Sequence, residues 1–280
     1  MRLGYLGPAG TFSEEAARSA PDANGAELHA LRTVRDTILA VHDGIVDRAV
    51  VPIENSLEGP VGVTLDTLVE EHEVTIVGEL VLAVSPCLIA REATELATIE
   101  RVVSHPQPLA QCAGFLRDRL PHADVAPTAS TAEAVRVVVS QSAPWAALGT
   151  RRAADLYGGH VLVDGVEDEP GNATRFVWLA RTPPTLEPGL PAKTSLAFWG
   201  AGDDSPGWLV RCLSEFAFRG VNLTKIESRP LRAQLGHYRF FVDCEGAAHD
   251  AQVAAAVEGL RAHCERVQVL GSYPTARTRA

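Results

Sequence analysis

Up to Ala180, short β-branched runs alternate with stretches whose apolar residues recur every three or four positions. Arg48-Ala-Val-Val-Pro52 and Arg101-Val-Val-Ser104 read as buried strands, Thr131 to Ser140 as a helix with one apolar face, and Trp145-Ala-Ala-Leu148 as a return to strand. Strands alternating with helices predict a parallel α/β sheet. Beyond Pro191 the order changes. Thr194 to Trp199 is a strand, Asp203 to Gly207 a turn and Trp208 to Phe218 a helix. Strands over Val221 to Ser228 and Tyr238 to Cys244 follow, then a helix over Asp250 to Cys264 and a last strand over Val267 to Gly271. That βαββαβ order is a split βαβ unit. Thr182 to Pro191, between the two patterns, holds four prolines and a glycine, which continue neither a helix nor a central strand. Two domains are therefore predicted, over residues 1–182 and 193–273.

Polar residues cluster where predicted strands give way to helices. Thr11-Phe-Ser-Glu14, after Gly7-Pro-Ala-Gly10, is a capping box opening a helix. Ser104-His-Pro-Gln107 and Ser130-Thr-Ala-Glu133 have the same form, with Ser104 and Ser130 as the expected caps. A capped helix start exposes N–H groups and the positive end of the helix dipole, worth about 0.3–1 kcal/mol to a nearby anion. Each box alone is more often punctuation than a site; three after strands bring the two readings level. Glu54, Asn55 and Ser56 fall on a loop at a strand end. In Asn172-Ala-Thr-Arg-Phe176, alternation sets Thr174 and Arg175 on opposite faces of a strand, so a bend is needed if both are to meet one ligand.

The formal charge of -10 argues against a nucleic-acid partner, and it means that an anionic substrate must be met by a local positive site. The five cysteines are scattered without a C-x-x-C pair, which fits reduced thiols in a cytoplasmic protein. The longest nearly apolar run, Leu80 to Ala90, is too short to span a membrane. Gly4, Gly7 and Gly10 do not make a dinucleotide fingerprint, the histidines show no ligand spacing, and no nucleophile elbow is found. No metal is expected.

Gly7-Pro-Ala-Gly-Thr-Phe-Ser13, Val51-Pro-Ile-Glu-Asn-Ser56, Ser104-His-Pro-Gln107, Ser130-Thr-Ala132, Asn172-Ala-Thr-Arg-Phe176 and Glu227-Ser-Arg-Pro230, in this order, resemble the prephenate dehydratases. The resemblance implies a two-lobed α/β catalytic domain like a periplasmic binding protein, its site between lobes that the chain joins by two crossings. It implies a ferredoxin-like ACT domain behind it and a homodimer or homotetramer. It also implies that the chain turns prephenate into phenylpyruvate without a cofactor, with Thr174 catalytic. Thr11, Asn55, Ser56, Ser104, Gln107, Ser130, Thr131, Arg175 and Phe176 would bind substrate. Phenylalanine, the implied allosteric effector, would sit between ACT domains on Gly207, Leu209 and Val210 of one and Asn222, Leu223, Glu227, Ser228, Arg229 and Pro230 of another. Trp208 departs from the family's Gly-Ala-Leu-Val at this place and puts the size of the effector pocket in doubt.

A threonine hydroxyl is a poor acid, so Thr174 would act by donating a hydrogen bond that strengthens as the substrate oxygen departs. Glu54 is a proton source only if burial raises its pKa, and a supporting role is favoured. Arg175 either pairs a substrate carboxylate or ties the lobes together through an internal one. Arogenate dehydratase shares fold and chemistry, and the motifs do not separate the two. A non-catalytic amino-acid sensor has no evident need of Thr174-Arg175-Phe176. A fused chorismate mutase is disfavoured, because the dehydratase-like pattern already begins at residue 4.

Overall fold

The computed structural model describes residues 1–20, 23–187, 189–200, 202–231 and 236–276. Pro188 of the predicted linker, and residues 201 and 232–235 of the predicted C-terminal domain, lie outside them. In chain order the first lobe contains β1 (Arg2–Leu6), α1 (Phe12–Arg18), β2 (Glu27–Leu31), α2 (Val34–His42), β3 (Arg48–Asn55), β4 (Gly59–Pro60), α3 (Gly62–Glu70) and β5 (Thr75–Ala83). The second contains β6 (Cys87–Ala90), β7 (Arg101–Ser104), α4 (Pro106–Gln111), α5 (Ala113–Arg119), β8 (Asp124–Pro127), α6 (Thr131–Val139), β9 (Trp145–Gly149), α7 (Arg151–Tyr157) and β10 (His160–Val163). The chain then returns to the first lobe as β11 (Ala173–Ala180). The two crossings are tied together, Val84 N donating to Asn172 O at 2.8 Å and Val166 N to Pro86 O at 3.1 Å.

The sheets are mixed where purely parallel ones were predicted. The first lobe has the order β2-β1-β3-β11-β5, with β11 antiparallel to both neighbours. The second has β10-β6-β9-β7-β8, with β6 antiparallel to β9. The crossings explain this. β3 and β9 run toward the boundary between the lobes, whereas β11 and β6 start there after a crossing and must run the other way.

The third sheet is built from β12 (Ala192–Trp199), β13 (Leu223–Pro230), β14 (Tyr238–Glu245) and β15 (Arg266–Pro274), in the order β13-β14-β12-β15. With α8 (Trp208–Ala217) and α9 (Ala251–Arg261) it makes the expected βαββαβ module. Leu196, Phe198 and Val242 on one face pack with Trp208, Cys212 and Phe216. Ala197, Phe241, Leu270 and Tyr273 join the apolar core of the first lobe instead. A Cβ on Gly271 would run into the backbone of Ile76, so only glycine lets β15 approach β5 this closely. The module is thus docked on the lobe through a shared core, although the segment between Thr182 and Pro191 shows no helix or strand among its described residues.

Candidate active site

The parallel strands β1 and β3, and β7, β8 and β9, end at the boundary between the lobes, the place where open α/β sheets bind ligands. Helix starts follow directly. Thr11 caps α1 and Ser130 caps α6 as expected, their hydroxyls accepting from Glu14 N at 3.4 Å and Glu133 N at 3.1 Å. Thr150 also caps α7, which the sequence reading missed for want of an acidic residue three positions on. Ser104 is not a cap. His105 takes that position, and the fully buried Ser104 hydroxyl donates to Leu148 O at 2.7 Å, pinning β7 to β9 inside the lobe. The Ser104 hydroxyl expected at the substrate is thus engaged inside the lobe, and Pro106 at the first helical position moves the cap one residue on.

Asn55 and Thr174 are cross-strand partners at the adjoining ends of β3 and β11. The Asn55 amide has a defined orientation, since its Oδ1 accepts from Leu57 N and Glu58 N, both at 3.0 Å. Its Nδ2 therefore donates to Thr174 Oγ1 at 3.0 Å and to Asn172 Oδ1 at 2.9 Å. Ser56 Oγ donates to Asn172 Oδ1 at 3.3 Å and accepts from Ala173 N at 3.0 Å. Asn172 Nδ2 then reaches Gln111 Oε1 of the second lobe at 3.2 Å, and the buried Gln111 Nε2 has no hydrogen-bond partner among the described residues. Gln111 escaped the sequence reading, and Asn172 stood in its motif without a role. The available signal was that Gln107 and Gln111 lie four apart on one helix face.

Arg175 and Phe176 are corrected. Arg175 lies on the opposite face of β11 from Thr174. Its guanidinium donates to Glu79 at 2.7 Å, Asp243 at 2.6 Å and the Tyr273 hydroxyl at 2.9 Å, so it binds the C-terminal module and not a substrate carboxylate. The internal-carboxylate alternative holds, but toward the third sheet and not between the lobes. Burial works against the Arg175 charge, yet Asp243, Tyr273 and Glu79 outweigh it and raise its pKa. Phe176 is buried in the first lobe's core with Leu3, Tyr5 and Val50. Glu54 meets Lys225 at 3.1 Å and Arg175 at 3.5 Å.

The lobes also meet around Gly10, whose carbonyl accepts from the buried Thr150 hydroxyl at 2.6 Å. Its φ of 87° and a Cβ position 3.1 Å from Ala153 Cβ leave room only for glycine. Glu14 sits beneath. Burial alone would raise its carboxyl pKa, but hydrogen bonds from Arg152, Gly10 N and Arg18 override that and hold it at about 2, against an ordinary 4.5. The folded value lies below the unfolded one, so this stabilisation is complete above pH 4.5 and is lost as pH falls toward 2. Glu14→Gln is expected to lose about 1.5–3 kcal/mol at pH 7, read by urea unfolding, with the deficit shrinking between pH 4.5 and 2. A deficit that stays constant with pH would remove the charge from the account.

In the C-terminal module, Gly207, Leu209 and Val210 line a concavity of about 260 Å³ together with Trp208, Tyr238 and Phe240. Trp208 is buried, its Nε1 donating to His263 O at 2.6 Å and its ring 6.0 Å from that of Phe198. The indole therefore builds the inner wall. Asn222, Leu223, Glu227, Ser228 and Pro230 lie on or beside the edge strand β13 and do not line this concavity. Arg229 is committed elsewhere, in a two-pronged pair with Asp66 of α3, both distances 2.9 Å.

A family model described as prephenate dehydratase matches residues 3–184. A prephenate dehydratase of Mycobacteroides abscessus is 40% identical over 285 residues, covering 99% of this chain and 91% of that protein. The crystal structure of the Arthrobacter aurescens prephenate dehydratase in complex with L-Phe superposes with a TM-score of 0.90 at 37% identity, over 99% of this chain and 90% of that one. A structure described as GqqA, a novel type of quorum quenching acylase, superposes with a TM-score of 0.87 at 32% identity, over 100% and 99%. With the motifs seated at the lobe boundary and a match over nearly the whole chain, the protein belongs to the prephenate dehydratase family.

Proposed function

We propose that the chain removes water and carbon dioxide from prephenate to give phenylpyruvate, a carbon–oxygen lyase reaction, with Thr174 on the departing hydroxyl. One observation carries the assignment of Thr174. Asn55 Nδ2 occupies the acceptor side of Thr174 Oγ1 at 3.0 Å, which frees the hydroxyl hydrogen to point away as a donor. Aromatisation of the ring drives the reaction, so the site has only to assist the leaving oxygen and orient the carboxylate lost as carbon dioxide. A hydrogen bond that strengthens on the leaving oxygen lowers the barrier. Glu54, turned to Lys225 and Arg175, supports this pair from behind. Thr11, Ser56, Gln107, Ser130 and Thr131 are the substrate contacts of this reading, joined by Gln111 Nε2, which is without a hydrogen-bond partner among the described residues.

The catalytic domain spans residues 1–182, in accord with the 3–184 matched by the family, and the regulatory ACT domain 193–273. The relative solved with L-Phe supports phenylalanine as the effector, held on Gly207, Leu209 and Val210 and completed by Asn222, Leu223, Glu227, Ser228 and Pro230 of a second subunit. In this reading the protein is a homodimer or homotetramer, in which the edge strand β13 of a second subunit completes the concavity. Five buried free thiols support a cytoplasmic location; among the described residues no helix is long and apolar enough to cross a membrane.

Purified protein given prephenate is expected to form phenylpyruvate, followed by its ultraviolet absorbance, at an unchanged rate after chelation of metals. Arogenate should turn over more slowly. The acylase relative makes an N-acyl amide the control substrate, and amide cleavage without phenylpyruvate would overturn the reading.

A further inference from the structure

Two cross-strand pairs sit back to back at the end of the first lobe's sheet. Thr174 and Asn55 form one pair, and Arg175 and Glu54, the next residues on each strand, form the other on the opposite face. The register slips immediately beyond, Phe176 pairing with Pro52, so that β3 carries an extra residue at Ile53. A bulge of this kind breaks the ladder and lets the strand end bend, so the two cleft residues are only as well placed as whatever holds their backs. That hold comes from the C-terminal module. Lys225, Asp243 and Ser195 are neighbours across β13, β14 and β12. Lys225 Nζ lies 3.1 Å from Glu54, Asp243 Oδ2 accepts from Arg175 at 2.6 Å, and Ser195 donates to the other Asp243 oxygen. The side chains of Arg175, Asp243 and Lys225 are 11%, 6% and 8% exposed, which keeps the Arg175–Asp243 pair from being screened by water, and Lys225 reaches from this buried layer to the partly exposed Glu54 as an ion pair.

We propose that Lys225 and Asp243 are positioning residues for the dehydration, holding Glu54 and Arg175 so that Asn55 and Thr174 keep their catalytic alignment. The C-terminal module is then a structural part of the active site as well as the seat of an effector. This rests on the assignment of Thr174, and the experiment separates the two.

The full chain is compared with Lys225→Met, Lys225→Arg, Asp243→Asn, Thr174→Ala and the double variant Thr174→Ala/Lys225→Met, each first checked by thermal melting. Misplacement of reacting groups by a fraction of an ångström to an ångström costs up to about 100-fold. Lys225→Met and Asp243→Asn are expected to lower kcat by roughly 10- to 100-fold with KM for prephenate changed less than about threefold. Lys225→Arg should recover most of the loss. On the Thr174→Ala background, Lys225→Met should cost less than about threefold further, because the group it aligns is gone. A folded Lys225→Met with parental kcat, a loss confined to KM, no recovery in Lys225→Arg, or a full additional loss on the Thr174→Ala background would each overturn the proposal. Should Asp243→Asn fail to fold, the Lys225 series decides alone. A parent that makes no phenylpyruvate removes the activity itself. A fully active Thr174→Ala removes the role of Thr174 and the positioning with it, and leaves the dehydration standing.

Discussion

Thr174→Ala is expected to lower kcat by about 100-fold or more, at least about 2.7 kcal/mol, while KM for prephenate changes little. The split follows from the geometry. Asn55 Nδ2 donates to Thr174 Oγ1, and the Asn55 amide is itself held by Leu57 N and Glu58 N. The threonine oxygen is thereby held before substrate arrives with its hydrogen left to donate, and a donor positioned in advance acts mostly on charge that develops in the transition state. Thr174→Ser keeps the hydroxyl and should stay within about 10-fold of the parent. Steady-state rates of phenylpyruvate formation decide the matter. A Thr174→Ala variant that retains most of its kcat and loses affinity would reduce Thr174 to a binding group.

Phenylalanine inhibition should be nearly abolished by Val210→Asp, with the half-inhibiting concentration raised by roughly 10- to 100-fold and uninhibited kcat within about threefold of the parent. Val210 lines the concavity beside Trp208, Tyr238 and Phe240 and is 67% exposed, so a carboxylate is tolerated there until an apolar ring must be buried against it. Coupling between sites is reciprocal, typically about 1–3 kcal/mol, so a slow prephenate analogue should weaken phenylalanine binding measured by calorimetry. Direct competition at the cleft, or full inhibition of Val210→Asp, would refute the two-site account.

Arg229 docks the module on the catalytic domain. Its motif marks it as an effector contact, yet its fork grips Asp66 in the catalytic domain. Removing it would loosen the module as well as any effector site, so a variant at Arg229 does not report on phenylalanine alone.

What the sequence determined by itself is what short-range physics controls. Thr11 and Ser130 cap their helices because hydroxyl and N–H lie three residues apart, and the βαββαβ order follows from runs of apolar residues with the period of a strand or a helix. Ordered motifs then carried the family. The tertiary structure alone decided the rest. The direction of β11 and β6 depends on where the chain re-enters a sheet after crossing between lobes, which no local pattern records. Asn55 meets Asn172 across 117 residues, Glu14 meets Arg152 across 138, and Arg175 meets Asp243 across 68. Alternation could set Thr174 and Arg175 on opposite faces. Which face saw the cleft and which saw a buried carboxylate was settled only when the third sheet docked, because an arginine's partner is chosen by what packing brings within about 3 Å of it and not by its neighbours in the chain.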